Sequence, residues 1–231
     1  MKKLIKSIKK TGNKDVARTQ VCFLLDETSS MEMIRDKTIS GFNEYLTSIK
    51  EDKGDKVMFT LNLFNTGKDE IRYSQEAIDK VVPLTRKTYI PSGMTPLYDA
   101  IGRSINRIEH DVKKSDLVIF VIMTDGEENS SKEYELKDVK ALIEKYQSKG
   151  WKFLFMGVGL DKYVVDKFTS SVGLPQDTGF SIDSKKIGET YRGISLGTNA
   201  IRSANVKYGM KATASMSVLP EEMRDKLSGK K

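Results

Sequence analysis

The chain has 231 residues, of which 38% are hydrophobic and 31% are charged, a length and balance that suit one soluble α/β domain rather than two. No apolar run approaches the roughly 20 residues that a membrane-spanning helix needs, and the single cysteine excludes an intramolecular disulfide. The net charge of +7 gathers at the termini, since residues 1–20 alone carry seven lysines and arginines and one acidic residue.

Residues 1–17 are the first predicted region, a basic extension ahead of the folded part. No apolar segment or small-residue cleavage site follows the lysines, so the pattern does not indicate a secretory signal. Cys22 lies within an apolar run and is predicted to be a buried structural thiol, which fits a reducing compartment. We therefore expect a cytoplasmic protein without a membrane span.

From residue 18 onwards, predicted strands and helices alternate along the chain. The runs 21–25 and 117–123 are continuously apolar, which is typical of strands buried on both faces. The run 57–64 alternates between apolar and polar residues and predicts a half-exposed strand. In chain order the predicted elements are the strand 21–25, the helix 34–49, the strand 57–64, an edge strand at 69–74, an irregular stretch at 83–92, a helix from Thr95-Pro96 to about Val112, the strand 117–123, the helix 133–149, the strand 151–158, the helix 163–172, the strand 179–182 and a final helix at 187–205.

This order predicts an α/β fold with a Rossmann-like, doubly wound and mostly parallel sheet, flanked by helices on both faces. The predicted domain spans residues 18–208, and residues 209–231 are predicted to be a flexible tail.

Polar residues follow the two most apolar strands, at the point where each strand ends. The sequence Asp26-Glu27-Thr28-Ser29-Ser30 follows the first of them, and Thr124-Asp125-Gly126 follows the second. A further hydroxyl, that of Thr95, stands at a predicted helix start. Open α/β sheets place their ligands at the carboxyl ends of strands, so these side chains are expected to converge. A set of oxygen donors without histidine or cysteine suits a hard cation such as Mg²⁺.

These residues resemble the metal-ion-dependent adhesion site of the von Willebrand factor type A (VWA) domain family. The motif of that family reads Asp-x-Ser-x-Ser, followed by a distant Thr and a distant Asp. The matching residues stand in the same order: Asp26, Thr28, Ser30, Thr95 and Asp125. Thr28 replaces the usual serine but keeps its hydroxyl, and Ser29 replaces a glycine that is often found there.

The resemblance implies that the three hydroxyls bind Mg²⁺ directly, or Mn²⁺ or Ca²⁺ in its place, while one or both aspartates act largely through water. It also implies an open coordination position that an Asp or Glu of another protein completes. The expected function is therefore a non-enzymatic, metal-dependent protein-binding module.

Each part of the motif also has a structural interpretation. The run 26–30 has the composition of a turn before a helix, and Asp125-Gly126 is a common turn pair. Thr95 is a natural helix cap with Pro96 at the first helical position. Only the joint occurrence of these parts, in family order, favours a metal site. The following residues, Glu127, Glu128 and Asn129, are predicted to form a solvated loop rather than to bind the ion, with Glu128 as a residue that could modulate the site.

Two other functions stay open at this point. Asp26-x-Thr28 with Thr124 resembles part of the haloacid dehalogenase motif, with Asp26 as nucleophile of a phosphotransferase, but residues 157–160 lack the acidic pair of that family. The basic termini could bind nucleic acid, although solvated tails explain such charge more simply. His110 and Cys22 lack the companions that a catalytic triad requires.

Overall fold

The computed structural model describes residues 18–209. The predicted basic extension and residues 210–231 of the predicted tail lie outside this range. The strands are β1 Arg18–Asp26, β2 Lys56–Asn65, β3 Lys68–Ala77, β4 Leu117–Thr124, β5 Lys152–Val158 and β6 Gly179–Ile182. The helices are α1 Arg35–Glu51, α2 Leu97–Glu109, α3 Leu136–Ser148, α4 Lys162–Ser171 and α5 Ile187–Tyr208, with short 3-10 turns at Ser29–Ile34, Ile78–Lys80 and Gln176–Thr178.

The strands form one six-stranded sheet in the order β3-β2-β1-β4-β5-β6. All neighbouring pairs are parallel except β2 with β3, which run antiparallel at one edge. The predicted α/β fold with a mostly parallel, doubly wound sheet is thereby confirmed. Because β1 and β4 are adjacent in the middle, the loops that follow them start side by side.

Two apolar layers cover the sheet, one on each face. On one face Phe23 of β1 packs against Phe42 of α1 and Tyr191 of α5, with ring centroids 5.5 and 5.9 Å apart. On the other face Phe155 of β5 stacks on Phe168 of α4 at 4.4 Å. Burying aromatic rings of this size on both faces supplies much of the hydrophobic stabilisation. None of the helices in the described part of the chain is both long and apolar enough to cross a membrane.

The thiol of Cys22 lies in this core, as predicted, and burial raises its pKa well above its usual range. The prediction that β2 is half-exposed is wrong, because both Thr60 and Asn62 are buried. Helix α2 covers that face of β2, and the Asn62 side chain donates to Ser104 Oγ at 2.6 Å. An alternating pattern can therefore arise from polar side chains that find partners inside the core.

The irregular segment 83–94, which leads into α2, is held to the rest of the domain by side-chain bonds to its backbone. The Asn43 side chain bonds both backbone groups of Leu84, at 2.7 and 2.9 Å. Arg35 Nε donates to the carbonyl of Tyr89 at 3.0 Å. In return, the Tyr89 hydroxyl donates to the carbonyl of Asp26 at 2.6 Å. These bonds fix an irregular segment beside the end of β1.

At the amino ends of the parallel strands, Arg202 of α5 is bonded to residues just before β2. Its side chain is 1% exposed, and its Nε and Nη2 donate to Asp55 Oδ1 at 2.9 and 2.7 Å. Nη2 also donates to the carbonyl of Asp52 at 2.8 Å. A buried charge that is paired and bonded in this way is costly to break by removing one partner only.

We expect Arg202→Met to lower the free energy of unfolding by about 3–5 kcal/mol, because it leaves the Asp55 carboxylate buried without its guanidinium. Urea denaturation measures this change. Arg192→Met, at an exposed position of the same helix, is the matched control and should change stability by less than about 0.5 kcal/mol. Equal stability of the two variants would contradict the stabilising role of the buried pair of Arg202 and Asp55.

Candidate metal centre

Asp26 is the last residue of β1, and its carboxylate is buried. Oδ1 accepts a hydrogen bond from the backbone N–H of Thr28 at 2.7 Å. Oδ2 accepts a bond from the hydroxyl of Thr124 at 2.5 Å. Since Thr124 is the last residue of β4, this second bond joins the carboxyl ends of the two central strands.

The hydroxyls of the β1 loop continue this arrangement towards solvent. Thr28 Oγ1 lies 3.2 Å from Ser30 Oγ, which donates to Asp125 Oδ1 at 2.6 Å. Thr28 is buried, whereas Ser30 is exposed and Asp125 is partly exposed. Four of the five predicted residues therefore form one bonded chain that runs from the core to the surface.

Thr95 reaches the same place from the loop before α2. A Cβ atom built on Gly126 would lie 3.0 Å from Thr95 Oγ1, so the threonine hydroxyl lies directly against the residue that follows Asp125. The Thr95 N–H donates to the Asn129 side chain at 2.9 Å, and the Asn129 N–H donates to the Thr95 carbonyl at 3.1 Å. The structure thus brings all five predicted residues to one edge of the sheet.

Thr95 does not cap α2, contrary to the structural interpretation of its sequence. The helix begins at Leu97, and Pro96 precedes its first residue, with its carbonyl accepting the N–H of Ala100 at 3.0 Å. The cap comes from the loop after β4 instead, where Glu128 Oε2 accepts the N–H of Tyr98 at 2.8 Å. The Thr95 hydroxyl is consequently not used in capping.

Glu128 was predicted to lie in a solvated loop, and this prediction is wrong. Its carboxylate also accepts the N–H groups of Ser130 and Ser131, at 2.8 and 2.7 Å. Asp99 of α2 reciprocates by accepting the N–H groups of Lys132, Glu133 and Tyr134, each at 2.9 Å. The two carboxylates hold the loop 125–135 and the start of α2 together, and so hold Asp125 near Thr95. Glu127, by contrast, is exposed as predicted.

Glu27 is a residue that sequence reasoning missed. It lies between two predicted ligands, and its side chain is fully buried. Its carboxylate accepts the N–H of Ile90, and its carbonyl accepts the N–H of Ser92 at 2.8 Å. It therefore fastens the segment 83–94 to the β1 loop. An acidic residue in a polar motif carries no sequence signal of burial, because its partners are backbone groups 63 residues away.

Burial dominates the electrostatics of the site. It raises the pKa of Asp26 to about 6, against the opposing effect of bonds from Thr124 and Thr28. Burial also raises the pKa of Asp125, against the bond from Ser30. Within the described residues, the groups that shift these two pKa values include no basic side chain. Two neighbouring carboxylates whose pKa values are raised by burial favour a bound cation.

The donor chemistry fits Mg²⁺, because it combines two carboxylates with three hydroxyls. Among residues 18–209, no group of three or more His, Cys, Asp or Glu side chains is placed to bind a metal ion. A cation at this edge of the sheet would therefore depend on the hydroxyls of Thr28, Ser30 and Thr95 as well as on the aspartates.

Comparison with known proteins supports the fold. No family model matches the chain, and no curated protein sequence matches it. A von Willebrand factor type A structure from Catenulispora acidiphila is 14% identical over 81% of this chain and 43% of its own, with a TM-score of 0.53. The pilus adhesin SpaC from Lactobacillus rhamnosus GG is 11% identical over 81% of this chain and 30% of its own, with a TM-score of 0.58.

The PilB minor pilin from Streptococcus sanguinis is 12% identical, with a TM-score of 0.53, over 81% of this chain and 62% of its own. The chain thus spans less than two thirds of the length of each of these three structures. At such identities the likeness concerns the fold alone, and it supports a VWA-like arrangement of strands and helices.

In the absence of metal, we expect Asp26→Asn to stabilise the protein at neutral pH. The folded pKa of about 6 exceeds the ordinary value of 3.8, so the wild type loses stability as pH rises between these values. A pKa difference of about two between the folded and unfolded chain lowers the free energy of unfolding by roughly 3 kcal/mol at pH 7. The neutral asparagine avoids this loss. The asparagine keeps an acceptor for Thr28 and can donate to Thr124.

The measurement is urea denaturation in EDTA at pH 4 and pH 7.5, for the wild type, Asp26→Asn and Glu127→Gln as the exposed control. The advantage of Asp26→Asn should be present at pH 7.5 and largely absent at pH 4. An effect of equal size at both pH values would contradict the buried, uncompensated carboxylate.

Proposed function

We propose that this chain is a non-enzymatic, metal-dependent protein-binding module, with its site at the carboxyl ends of β1 and β4. The observation that carries the proposal is the bonded chain from Asp26 through Thr28 and Ser30 to Asp125. Thr95, against Gly126, closes this arrangement from a third loop.

The hydroxyls of Thr28, Ser30 and Thr95 would hold the cation, and Asp26 and Asp125 would supply the compensating negative charge. The ion, Mg²⁺ or alternatively Mn²⁺ or Ca²⁺, would attract a carboxylate from a partner protein. Ser30 and Asp125 are the accessible members of the set, so the partner's Asp or Glu would approach from their side.

The comparisons support a binding role, since one protein of similar fold is a pilus adhesin and another is a von Willebrand factor type A structure. The geometry favours binding over the phosphotransferase alternative. Asp26 is buried and both of its carboxylate oxygens already accept hydrogen bonds, whereas a nucleophile requires an oxygen that substrate can reach.

Two further expectations stay predictions. Nucleic-acid binding through the basic termini is an alternative that stays open, and residues 1–17 and 210–231 lie outside the described part of the chain. A cytoplasmic location rests on the sequence pattern alone.

Calorimetric titration with Mg²⁺ and Mn²⁺ tests the proposal on the wild type, Ser30→Ala and Ser29→Ala. Removing the Ser30 hydroxyl should weaken binding of the ion by at least about tenfold, because it removes one oxygen ligand and also the hydrogen bond that positions Asp125. Ser29→Ala is the matched control, since that exposed side chain is one residue away and its backbone N–H still bonds the Gly93 carbonyl.

If Ser30→Ala and Ser29→Ala bind the ion with equal affinity, the ion lies elsewhere and the proposed site is contradicted. If the wild type binds neither ion and unfolds at the same temperature in Mg²⁺ and in EDTA, the chain has no metal site of its own in the absence of a partner. Capture of proteins in Mg²⁺ but not in EDTA, lost in Ser30→Ala and kept in Ser29→Ala, would extend the proposal to the partner.

A further inference from the structure

Three large apolar side chains are exposed on the two segments that border the candidate metal centre. Met33 is 95% exposed, Ile90 is 53% exposed and Met94 is 52% exposed. Met33 stands three residues after Ser30, and Met94 immediately precedes Thr95. The apolar side chains therefore flank two of the proposed cation ligands.

The two segments that carry these side chains are bonded to each other at two points. At one end the Ser29 N–H donates to the Gly93 carbonyl at 3.1 Å. At the other end Arg35 Nε donates to the Tyr89 carbonyl at 3.0 Å. Residues 29–35 thus lie along residues 89–93, and Met33 falls between the two contacts, on the same stretch as Ile90. We name Met33, Ile90 and Met94 the apolar rim.

The backbone is held firmly at Ile90 and Met94, so the exposure of these two side chains is built into the fold. Glu27 fixes the N–H of Ile90, and the hydroxyl of Thr66 accepts the N–H of Met94 at 3.0 Å. The Thr66 N–H donates to the Met94 carbonyl at 3.2 Å. Gly93 has a φ of +75°, and a Cβ there would lie 2.6 Å from Thr66 Oγ1, so this connection strongly favours glycine.

Four of the charged residues on these segments and at the start of α1 form two pairs. Arg35 Nη1 lies 3.3 Å from Glu32 Oε1, and Arg86 Nε donates to Asp36 Oδ1 at 2.8 Å. A partner would find little uncompensated charge in these pairs. Apolar side chains held out to solvent are typical of interaction surfaces, where methionine adapts to varied shapes.

We propose that the apolar rim is the second half of the docking surface, and that it binds the apolar neighbours of the partner's acidic residue. The occupant is a segment of another protein in which an Asp or Glu, directed to the cation, is flanked within two residues by aliphatic or aromatic side chains. This inference rests on the proposed function, because the cation selects the acid and the rim selects its neighbours.

The test uses phage-displayed seven-residue peptides with a fixed central Asp and random flanks, selected on the wild-type protein in Mg²⁺. Aliphatic and aromatic residues should be enriched within two positions of the Asp. The selected peptides are then synthesised, and their affinity is measured in Mg²⁺ and in EDTA.

Affinity is compared between the wild type, the triple variant Met33→Gln/Ile90→Gln/Met94→Gln and a matched control. The control is Tyr163→Gln/Leu196→Gln/Val206→Gln, which changes three exposed apolar residues on α4 and α5. The rim variant should bind the peptides about tenfold or more weakly, and the control should bind them as the wild type does. Both triple variants should keep wild-type affinity for Mg²⁺ alone.

Metal titration separates failure of this inference from failure of the proposed function. If Mg²⁺ binds and the selected peptides lack apolar flanks, or bind the rim variant with wild-type affinity, the inference is overturned and the metal site stands. It is equally overturned if apolar peptides bind without Mg²⁺, or if selection yields no peptide. If Mg²⁺ itself does not bind, the proposed function fails first.

Discussion

The hydrogen bond from Thr124 to Asp26 is the contact on which the carboxyl edge of this sheet depends. It joins the last residues of two adjacent central strands, 98 positions apart in sequence, within the buried part of the domain. Every loop of the candidate site starts from one of these strands or is bonded to it. Asp26 also accepts the N–H of Thr28 at its carboxylate and the hydroxyl of Tyr89 at its backbone carbonyl. A strand pairing determined by the core is thereby converted into a fixed arrangement of polar side chains.

Asp55 and Asp26 are two carboxylates that are buried in opposite ways. At the edge where β2 begins, Asp55 is buried together with the guanidinium of Arg202. At the other edge, Asp26 and Asp125 lie close together, and the groups that shift their pKa values include no basic side chain of the described residues. Arg202 therefore compensates the buried charge of Asp55, whereas no basic side chain among these groups compensates that of Asp26. A negative site without such compensation costs stability, and a ligand that supplies positive charge repays this cost.

Sequence alone was sufficient for the elements whose signal is local. The apolar runs of β1 and β4 identified buried parallel strands, and the order of elements identified the fold. The five candidate residues were recognised because each follows a strand or precedes a helix, and the structure places them together. The predictions that failed concerned contacts between residues far apart in sequence. The burial of Asn62 depends on Ser104, and the roles of Glu27 and Glu128 depend on backbone groups of other loops. No local pattern distinguishes a glutamate with such partners from a solvated one.

The bonds that hold segment 83–94 have a consequence for the order in which the molecule assembles. They connect residues 41 to 63 positions apart, and they use side chains rather than a strand ladder. Closing loops of that length costs chain entropy before any bond forms, whereas β1 pairs with β2 over only 38 positions, from Arg18 to Lys56. We therefore expect these contacts to form after the pairing of β1 with β2. A chain in which only these two strands have paired does not yet hold the candidate site in shape.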